Sequence, residues 1–536
     1  MRITNCRSPI IKKILSGLLT MVIVVSSISV TGFFSKNVSA IGRYNIGEND
    51  YLHPWANKRL SYMIETSDGG YMIFATDYFD KEYTVQYYDK SFKLTKEKTI
   101  KRELEDFGAF YADNNGYFVI SGQYNAKESD TFECIRVTKY NKSWKRIGSC
   151  SMKACNVRDP FHSGCTSVVS SGKYLIVRTG RTMYTSADGL IHQSNLTFMV
   201  DTSTMTIADP NEYDYGYCSH SFNQFVKVDN DHLIAADHGD GYPRGYGIYV
   251  YNANISSGSF SAEGCESYVP FTFWGKKGAN VTYATLGGLE VSDTSYIIAG
   301  SSSDQSNGDY TPPDIIICTV NKKSGKMSTK WLTKDRKKDS EGINEVGTPF
   351  LVKVDQDKFV VMWDRHYEKN IYYAIIDGNG NKIGDIKKVK GQLSDCHPFV
   401  SKGKIIWYTY DGYRTDFYKL DPSTGKIINK YYGWVKKSGK WYYVDAAGKK
   451  TTGVKKIDGK YYLFSSKGVM QKSGWKKKGS NWYYLRKDGS AYANKWLKSS
   501  GKWYYFGSNA KMVKGKSMKI GKKTYKFKSN GVCKNH

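Results

Sequence analysis

The chain has 536 residues and a formal net charge of +29, so it is too long for one ordinary domain. The charge is uneven: residues 1–40 carry +5, residues 431–536 carry +24 from 26 Lys and one Arg against three Asp, and residues 41–430 are neutral overall. A uniformly basic chain would favour nucleic acid as the partner, whereas a neutral body with one basic end indicates a tether to another polyanion.

The first forty residues have the pattern of an export signal. Basic residues between Arg2 and Lys13 precede an apolar run at 15–30, and small residues at 38–40 fit a cleavage position. The run is short for a bilayer span of about 20 residues, and no later segment is apolar enough to cross. We therefore expect a secreted protein with no transmembrane span after cleavage, a retained membrane anchor being the alternative.

Residues 41–430 alternate between strand-like runs and turn sequences, without a helical period. Seven apolar runs recur at spacings of 46 to 63 residues, beginning at Tyr71, Tyr117, Tyr174, Leu233, Tyr296, Phe359 and Ile405. Seven units of roughly fifty residues with about four strands each predict an all-β fold, a seven-bladed β-propeller. Six or eight blades remain alternatives, as does a pair of β-sandwiches, although the regular spacing disfavours the sandwiches.

Unusual polar residues of this domain are predicted to lie in the connections before the first strands of blades and after the second strands. In a propeller, the connections between blades and those after each second strand reach the same face. We expect a group of polar residues to converge at one mouth of the central channel and to bind an anionic or carbohydrate ligand: Arg158, His162, Arg181, His220, Asp237, His238, Asp240, Arg244, Asp364 and His397. Such residues could also hold a metal or perform acid–base chemistry. The alternative is that they cap strand ends and pair with one another.

From residue 431 to residue 536 the chain is built of repeats. Units run over 433–452, 453–473, 474–494 and 495–513, followed by a degenerate unit at 514–531, and aromatic clusters such as Trp441-Tyr442-Tyr443 recur every 20 or 21 residues. Trp-Tyr-Tyr favours strands and the flanking glycines allow tight turns, so each unit is predicted to be a β-hairpin. Because one hairpin cannot bury its aromatic face, we expect the hairpins to stack into a solenoid.

These units resemble the choline-binding and glucan-binding wall-anchor repeats of Gram-positive bacteria. The resemblance implies a non-covalent anchor to teichoic acid or a wall glucan. It also implies choline cages made of a Trp from the Gly-Trp position, a Trp from the next strand and an aromatic residue from the following unit. The matching positions are Trp434, Trp441 and Tyr461, then Trp475, Trp482 and Tyr504, with Trp496 and Trp503 at the last interface. The second unit departs from the pattern, with Val454 and Tyr461 where Trp is expected, which weakens at least one cage.

The charge of the repeats bears on the ligand. A module of +24 would repel a bare cation and attract a polyphosphate, so we expect an anionic teichoic-type polymer, with choline groups as an addition. The sequence thus predicts a secreted cell-surface protein, anchored to the wall through its repeats, whose propeller binds a ligand or mediates adhesion. The alternative is a wall- or glycan-active hydrolase or lyase. No catalytic pair, metal motif or cofactor motif is recognisable, which favours the non-enzymatic reading.

Overall fold

The described part of the protein is entirely β-structure and turns. The computed structural model describes residues 58–76, 81–162, 165–208, 221–279, 281–303, 311–334, 346–365, 368–445 and 448–536. The predicted export signal at 1–40 and the candidate ligand residue His220 lie outside these ranges. All described residues belong to one unit, Ala40–His536, and within them no helix is long and apolar enough to cross a membrane.

Seven antiparallel sheets follow one another, each a meander of four consecutive strands. Blade 1 contains β1 (Ser61–Glu65), β2 (Tyr71–Ala75), β3 (Glu82–Tyr88) and β4 (Leu94–Lys101); blade 2 contains β5 (Asp106–Ala112), β6 (Tyr117–Gly122), β7 (Ile135–Tyr140) and β8 (Arg146–Met152). Blade 3 contains β9 (Asp159–Pro160), β10 (Ser167–Ser171), β11 (Tyr174–Thr185), β12 (Ile191–Asp201) and β13 (Thr206–Ile207), the short β9 pairing with β11.

The remaining blades continue the same order. Blade 4 contains β14 (Ser221–Asp229), β15 (His232–Asp240), β16 (Arg244–Asn254) and β17 (Ser259–Thr272); blade 5 contains β18 (Ala284–Val291), β19 (Ser295–Ser302), β20 (Asp314–Asn321) and β21 (Met327–Trp331). Blade 6 contains β22 (Phe350–Asp355), β23 (Lys358–Asp364), β24 (Asn370–Asp377) and β25 (Lys382–Lys390); blade 7 contains β26 (Phe399–Ser401), β27 (Lys404–Tyr410), β28 (Arg414–Leu420) and β29 (Ile427–Lys437).

The seven apolar runs of the sequence are the second strands of the seven blades. In β2 every residue is buried, and alternate side chains point to opposite faces of the sheet. Met72 and Phe74 pack into a core shared with blade 2, whereas Tyr71, Ile73 and Ala75 pack into a core shared with blade 7. A strand buried on both faces has a continuous apolar sequence, which is why the runs were visible. The prediction of a seven-bladed propeller is confirmed.

Contacts between blades 1 and 7 close the ring, and among the described strands none is exchanged between these two blades. Asp395, just before β26, accepts a hydrogen bond from the Leu60 amide at 2.9 Å and another from the Ser61 hydroxyl. Farther out, the Phe92 ring stacks at 5.0 Å on Phe417 of blade 7. The first strands of all seven blades surround a central channel of about 410 Å³.

The propeller passes into the repeats within a single strand. The first part of β29 pairs with β28 of blade 7, and its second part pairs with β30 (Lys440–Val444), so the boundary predicted at 430/431 falls inside β29. At Gly433 the strand changes partners with φ of 103°, and a Cβ there would lie 2.2 Å from the Tyr413 carbonyl oxygen. Glycine meets both requirements, because it has no Cβ and tolerates positive φ.

The repeats form a stack of hairpins, as predicted. After β29–β30 the pairs are β31 (Gly453–Ile457) with β32 (Lys460–Phe464), β33 (Gly474–Lys478) with β34 (Asn481–Leu485), β35 (Lys495–Ser499) with β36 (Lys502–Phe506), and β37 (Ser517–Ile520) with β38 (Lys523–Lys526). Backbone hydrogen bonds join the units: the Met470 amide donates to the Trp441 carbonyl at 2.7 Å, and the Met512 amide donates to the Trp482 carbonyl at 2.8 Å. The predicted hairpin solenoid is confirmed.

Candidate functional sites

The second strands of blades 3 and 4 extend well beyond their apolar runs. The prediction that Arg181, Asp237, His238 and Asp240 lie in connections is therefore wrong, because β11 and β15 continue through them in a hydrogen-bonded ladder. Asp364 likewise ends β23. Of the described candidates, those outside the strands are Arg158, His162 and His397. All of them still lie toward the face where first strands begin and second strands end.

Asp237 belongs to an ion pair buried between blades 3 and 4. Its carboxylate accepts hydrogen bonds from Nε of Arg178 at 3.3 Å, from Nη2 of the same side chain, and from the Ser221 hydroxyl at 2.8 Å. Arg178 also donates to Thr197 Oγ1 at 2.6 Å, and both charged side chains are 0% exposed. Asp237 is therefore occupied in joining two blades.

Two further arginines of the predicted site bind backbone carbonyls. Arg181 donates from Nη1 to the Cys155 carbonyl at 2.6 Å and from Nε to Ser194 Oγ at 3.2 Å. Arg244 is 6% exposed and donates to the carbonyls of Trp274, Ala279, Val281 and Asp240 at 2.7 to 3.1 Å. A guanidinium has five donors in a fixed fork, so one arginine can organise a whole loop in this way. Both side chains hold connections in place.

Arg158 and His162 lie toward the rim of the same face, whereas Asp364 and Asp240 are buried. Arg158 forms an ion pair with Glu128 at 2.9 Å, and Gln193 donates to Nδ1 of His162 at 2.9 Å. Burial raises the pKa of the Asp364 carboxyl to about 6, and a hydrogen bond from the backbone of Leu393 opposes part of this rise. Asp240 is fully buried at the end of β15.

Two of the predicted histidines line the central channel. His238 hydrogen-bonds through Nε2 with Thr282 Oγ1 at 2.9 Å, and burial, aided by the charge of Arg244, lowers its pKa to about 3. The His397 ring lies 4.9 Å from Phe350, and its pKa is also lowered well below the usual value, first by burial and then by nearby Arg59. Both imidazoles are therefore neutral at pH 7.

Arg59 and Gln224 line the same channel and were missed by the sequence analysis. Arg59 precedes β1 in a segment without a turn motif, and Gln224 looks like one polar residue in an ordinary strand. No signal in the sequence distinguishes either of them. Across the described ranges, no three His, Cys, Asp or Glu side chains gather as metal ligands would.

The repeats contain two open aromatic clusters of the same construction. In the first, the Trp434 ring lies 6.4 Å from Trp441 across its hairpin and 4.7 Å from Tyr462 of the next unit. The second cluster places Trp475 at 6.2 Å from Trp482 and 4.9 Å from Tyr504. The rings meet at steep angles and are only half-buried, so part of each ring remains accessible.

The third aromatic member of the first cluster is Tyr462, whereas the sequence analysis chose Tyr461. Tyr461 occupies the strand position of Trp482 in its own unit and packs instead against a core that contains Leu463, Tyr483 and Ala491. Together with Val454 in place of Trp, this leaves the second interface without a tryptophan. Aligning the strands on their last residues would have placed Tyr462 opposite Tyr504, because β32 and β36 both end in Phe.

The last interface has a third cluster, and a side chain already lies in it. Trp496 is 6.4 Å from Trp503 and 4.8 Å from Tyr525 of the degenerate unit. The His536 imidazole stacks on Trp503 at 4.0 Å and meets Trp496 edge-on at 4.5 Å. Among the described residues, no ring contacts the two tryptophans of the other clusters in the way that His536 does here.

A lysine stands beside the second tryptophan of each cluster. Lys436, Lys477 and Lys498 lie 5.8, 5.9 and 5.7 Å from the rings of Trp441, Trp482 and Trp503 respectively. Each lysine pairs with its tryptophan across the hairpin, so the arrangement follows from the strand register. Every cluster therefore combines an aromatic space with a cation at its edge.

Comparison with known proteins identifies the repeats. Residues 451–496 match the choline-binding repeat, and residues 433–450 and 494–509 match a cell wall binding repeat, which confirms the resemblance seen in the sequence. No curated protein matches the chain. The family matches stop short of the propeller.

Several solved structures are similar to parts of this chain. The choline-binding domain of Spr1274 from Streptococcus pneumoniae is 29% identical over 16% of this chain and 95% of its own, with a TM-score of 0.14. Choline-binding protein F from the same organism is 25% identical over 35% of this chain and 66% of its own, with a TM-score of 0.18. Kuenenia stuttgartiensis hydrazine synthase covers 74% of this chain and 98% of its own at 11% identity and a TM-score of 0.41, too low for any conclusion.

Proposed function

We propose that the repeats hold this protein non-covalently on a cell-wall polymer that carries choline groups and negative charge. The observation that carries this proposal is the repeated cluster of two tryptophans and a tyrosine, as in Trp475, Trp482 and Tyr504. Such rings present negative π faces to a common space, and quaternary ammonium groups bind in cages of this kind. Matching of these residues to choline-binding repeats supports the same ligand.

The lysines beside the aromatic clusters explain why the polymer is expected to be negatively charged. A choline group on a teichoic-type chain is joined to a phosphate, and Lys477 beside Trp482 would lie near that phosphate while choline occupies the cage. The net charge of +24 over residues 431–536 attracts the rest of the polyanion. The two contributions differ in salt dependence, because charge attraction is screened as the Debye length falls from about 10 Å at 0.1 M to about 3 Å at 1 M salt.

In this proposal the propeller is a binding module displayed at the cell surface, where it recognises a ligand or mediates adhesion. The predicted export signal at 1–40 supports a secreted location. An open channel of about 410 Å³ falls within the usual size of small-molecule sites. The full chain, incubated with a glycan panel, should retain a ligand without cleaving it; cleavage products would favour the hydrolase or lyase instead.

Anchoring is tested on immobilised choline and on purified walls with and without choline groups. Trp475→Ala should weaken its site by roughly 30-fold, since a desolvated cation–π contact contributes about 2 kcal/mol. The matched control is Tyr461→Ala, which removes an aromatic side chain at the interface without tryptophan. High salt should reduce retention on walls more than on immobilised choline. If Tyr461→Ala loses retention and Trp475→Ala does not, the cage assignment is wrong.

A further inference from the structure

We propose that the mouth of the propeller channel binds a small organic anion that also carries a hydroxyl group, through Arg59 and Gln224. The inference names the ligand class for the propeller and so rests on its proposed role as a displayed binding module. The candidate class comprises sugar acids and sugar phosphates, which share an oxyanion and neighbouring hydroxyls.

Arg59 is a cation at this mouth, and among the described residues it forms no ion pair. Its Nε donates to the Ser61 carbonyl at 3.3 Å, and its guanidinium lies 4.1 Å over the Tyr62 ring. Among the described residues, neither Nη nitrogen has a hydrogen-bond or ion-pair partner. The Asp395 carboxylate nearby is committed to the Leu60 amide and the Ser61 hydroxyl. The free edge of the guanidinium therefore presents a fork that suits a carboxylate or phosphate.

At the opposite end of the channel, the described residues offer no unpaired cation. Lys227, which also lines the channel, forms an ion pair with Glu290 at 2.9 Å. That lysine is therefore neutralised by its partner, whereas the Nη nitrogens of Arg59 remain available for a hydrogen-bonded ion pair. The guanidinium fork favours a ligand that enters with its anionic group toward the mouth where the first strands begin.

Gln224 indicates that the ligand should also carry a hydrogen-bond donor. Its side chain is 0% exposed, and Nε2 donates to the Ser221 carbonyl at 2.8 Å and to the Ser221 hydroxyl at 2.7 Å. Its Oε1 is buried and has no hydrogen-bond partner among the described residues. The amide cannot be turned over, since Oε1 would then face the Ser221 carbonyl, which only accepts. A buried acceptor left unsatisfied is unfavourable, so a ligand that donates a hydroxyl here is stabilised.

The channel wall between these groups is suited to a sugar ring. Phe225 and Phe350 flank His397, at ring distances of 6.3 and 4.9 Å. The imidazole is held neutral by burial, so it can donate one hydrogen bond and accept another. Aromatic faces beside a few polar groups are typical of sites for small polar ligands.

The test compares three ligands that differ in charge: glucose, glucuronate and glucose 6-phosphate. Binding to the full chain is measured by titration calorimetry in 0.15 M salt with saturating choline, which occupies the cages. We expect one saturable site for at least one of the two anions and at least 10-fold weaker binding of glucose. Binding of glucuronate alone identifies a carboxylate site, and binding of glucose 6-phosphate alone identifies a phosphate site.

Variants assign the site to the channel rather than to the basic repeats. Arg59→Gln should weaken anion binding by 10- to 100-fold, and Arg59→Lys should weaken it less, because charge remains while the fork is lost. Arg158→Gln, on the rim of the same face, should bind as the wild type does. The proposal is overturned if neither anion binds, or if Arg59→Gln binds equally well. Retention of a glycan by the propeller in that case would preserve the wider function and exclude only this site.

Discussion

Removing Asp237 should destabilise the propeller strongly. The carboxylate accepts from Arg178 and from Ser221 in a place where both charged side chains are 0% exposed. Asp237→Ala leaves the Arg178 guanidinium buried without its counter-ion, in contact only with Thr197 and two tyrosine rings among the described residues. Removing one partner of a buried pair costs about 3–5 kcal/mol, which is a factor of about 150 to 5,000 in the folding equilibrium.

The double variant is the control for this reasoning. Arg178→Met with Asp237→Leu removes both charges and fills their space, and replacement of a buried pair by apolar groups is often neutral or stabilising. Urea unfolding followed by tryptophan fluorescence reports the propeller through Trp363 and Trp407, which are fully buried there. The double variant should recover most of the free energy of unfolding that Asp237→Ala loses. A loss below about 1 kcal/mol in Asp237→Ala, or a double variant as unstable as the single, would refute the assignment of Asp237 as a structural partner.

Three further outcomes are expected. Burial lowers the pKa of His238 to about 3, so below pH 6.5 the unfolded chain binds a proton that the native protein does not. The free energy of unfolding should therefore fall as the pH is lowered from 6.5 to 3, by up to about 5 kcal/mol. In His238→Phe, the urea midpoint should fall less steeply over this pH range. His536→Ala should open the last aromatic cluster and raise by one the number of choline sites counted by equilibrium dialysis, whereas an unchanged count would show that the histidine does not block it. Gly433→Ala should destabilise the junction by about 1–3 kcal/mol, because its φ is 103° and a Cβ would collide with the Tyr413 carbonyl; calorimetry that finds the variant as stable as the wild type would contradict this.

Much of the architecture was readable from local pattern. The second strand of each blade is buried on both faces, so its sequence must be continuously apolar, and seven such runs at even spacing determine seven blades. The hairpin repeats are readable for the same reason, since each unit's turns and aromatic cluster lie within about twenty residues. Both signals come from contacts that are close along the chain.

The sites were decided by contacts that are distant along the chain. Asp237 of blade 4 pairs with Arg178 of blade 3, and the residues around each of them in the sequence do not indicate this partner. Arg59 is notable because no carboxylate reaches its Nη nitrogens among the described residues, and such an absence can be read only from packed neighbours. Tyr462 rather than Tyr461 meets Trp434, because strand register decides which ring faces the next hairpin. Local pattern thus determined the blades and hairpins, whereas the three-dimensional packing decided which polar groups neutralise one another and which remain available to a ligand.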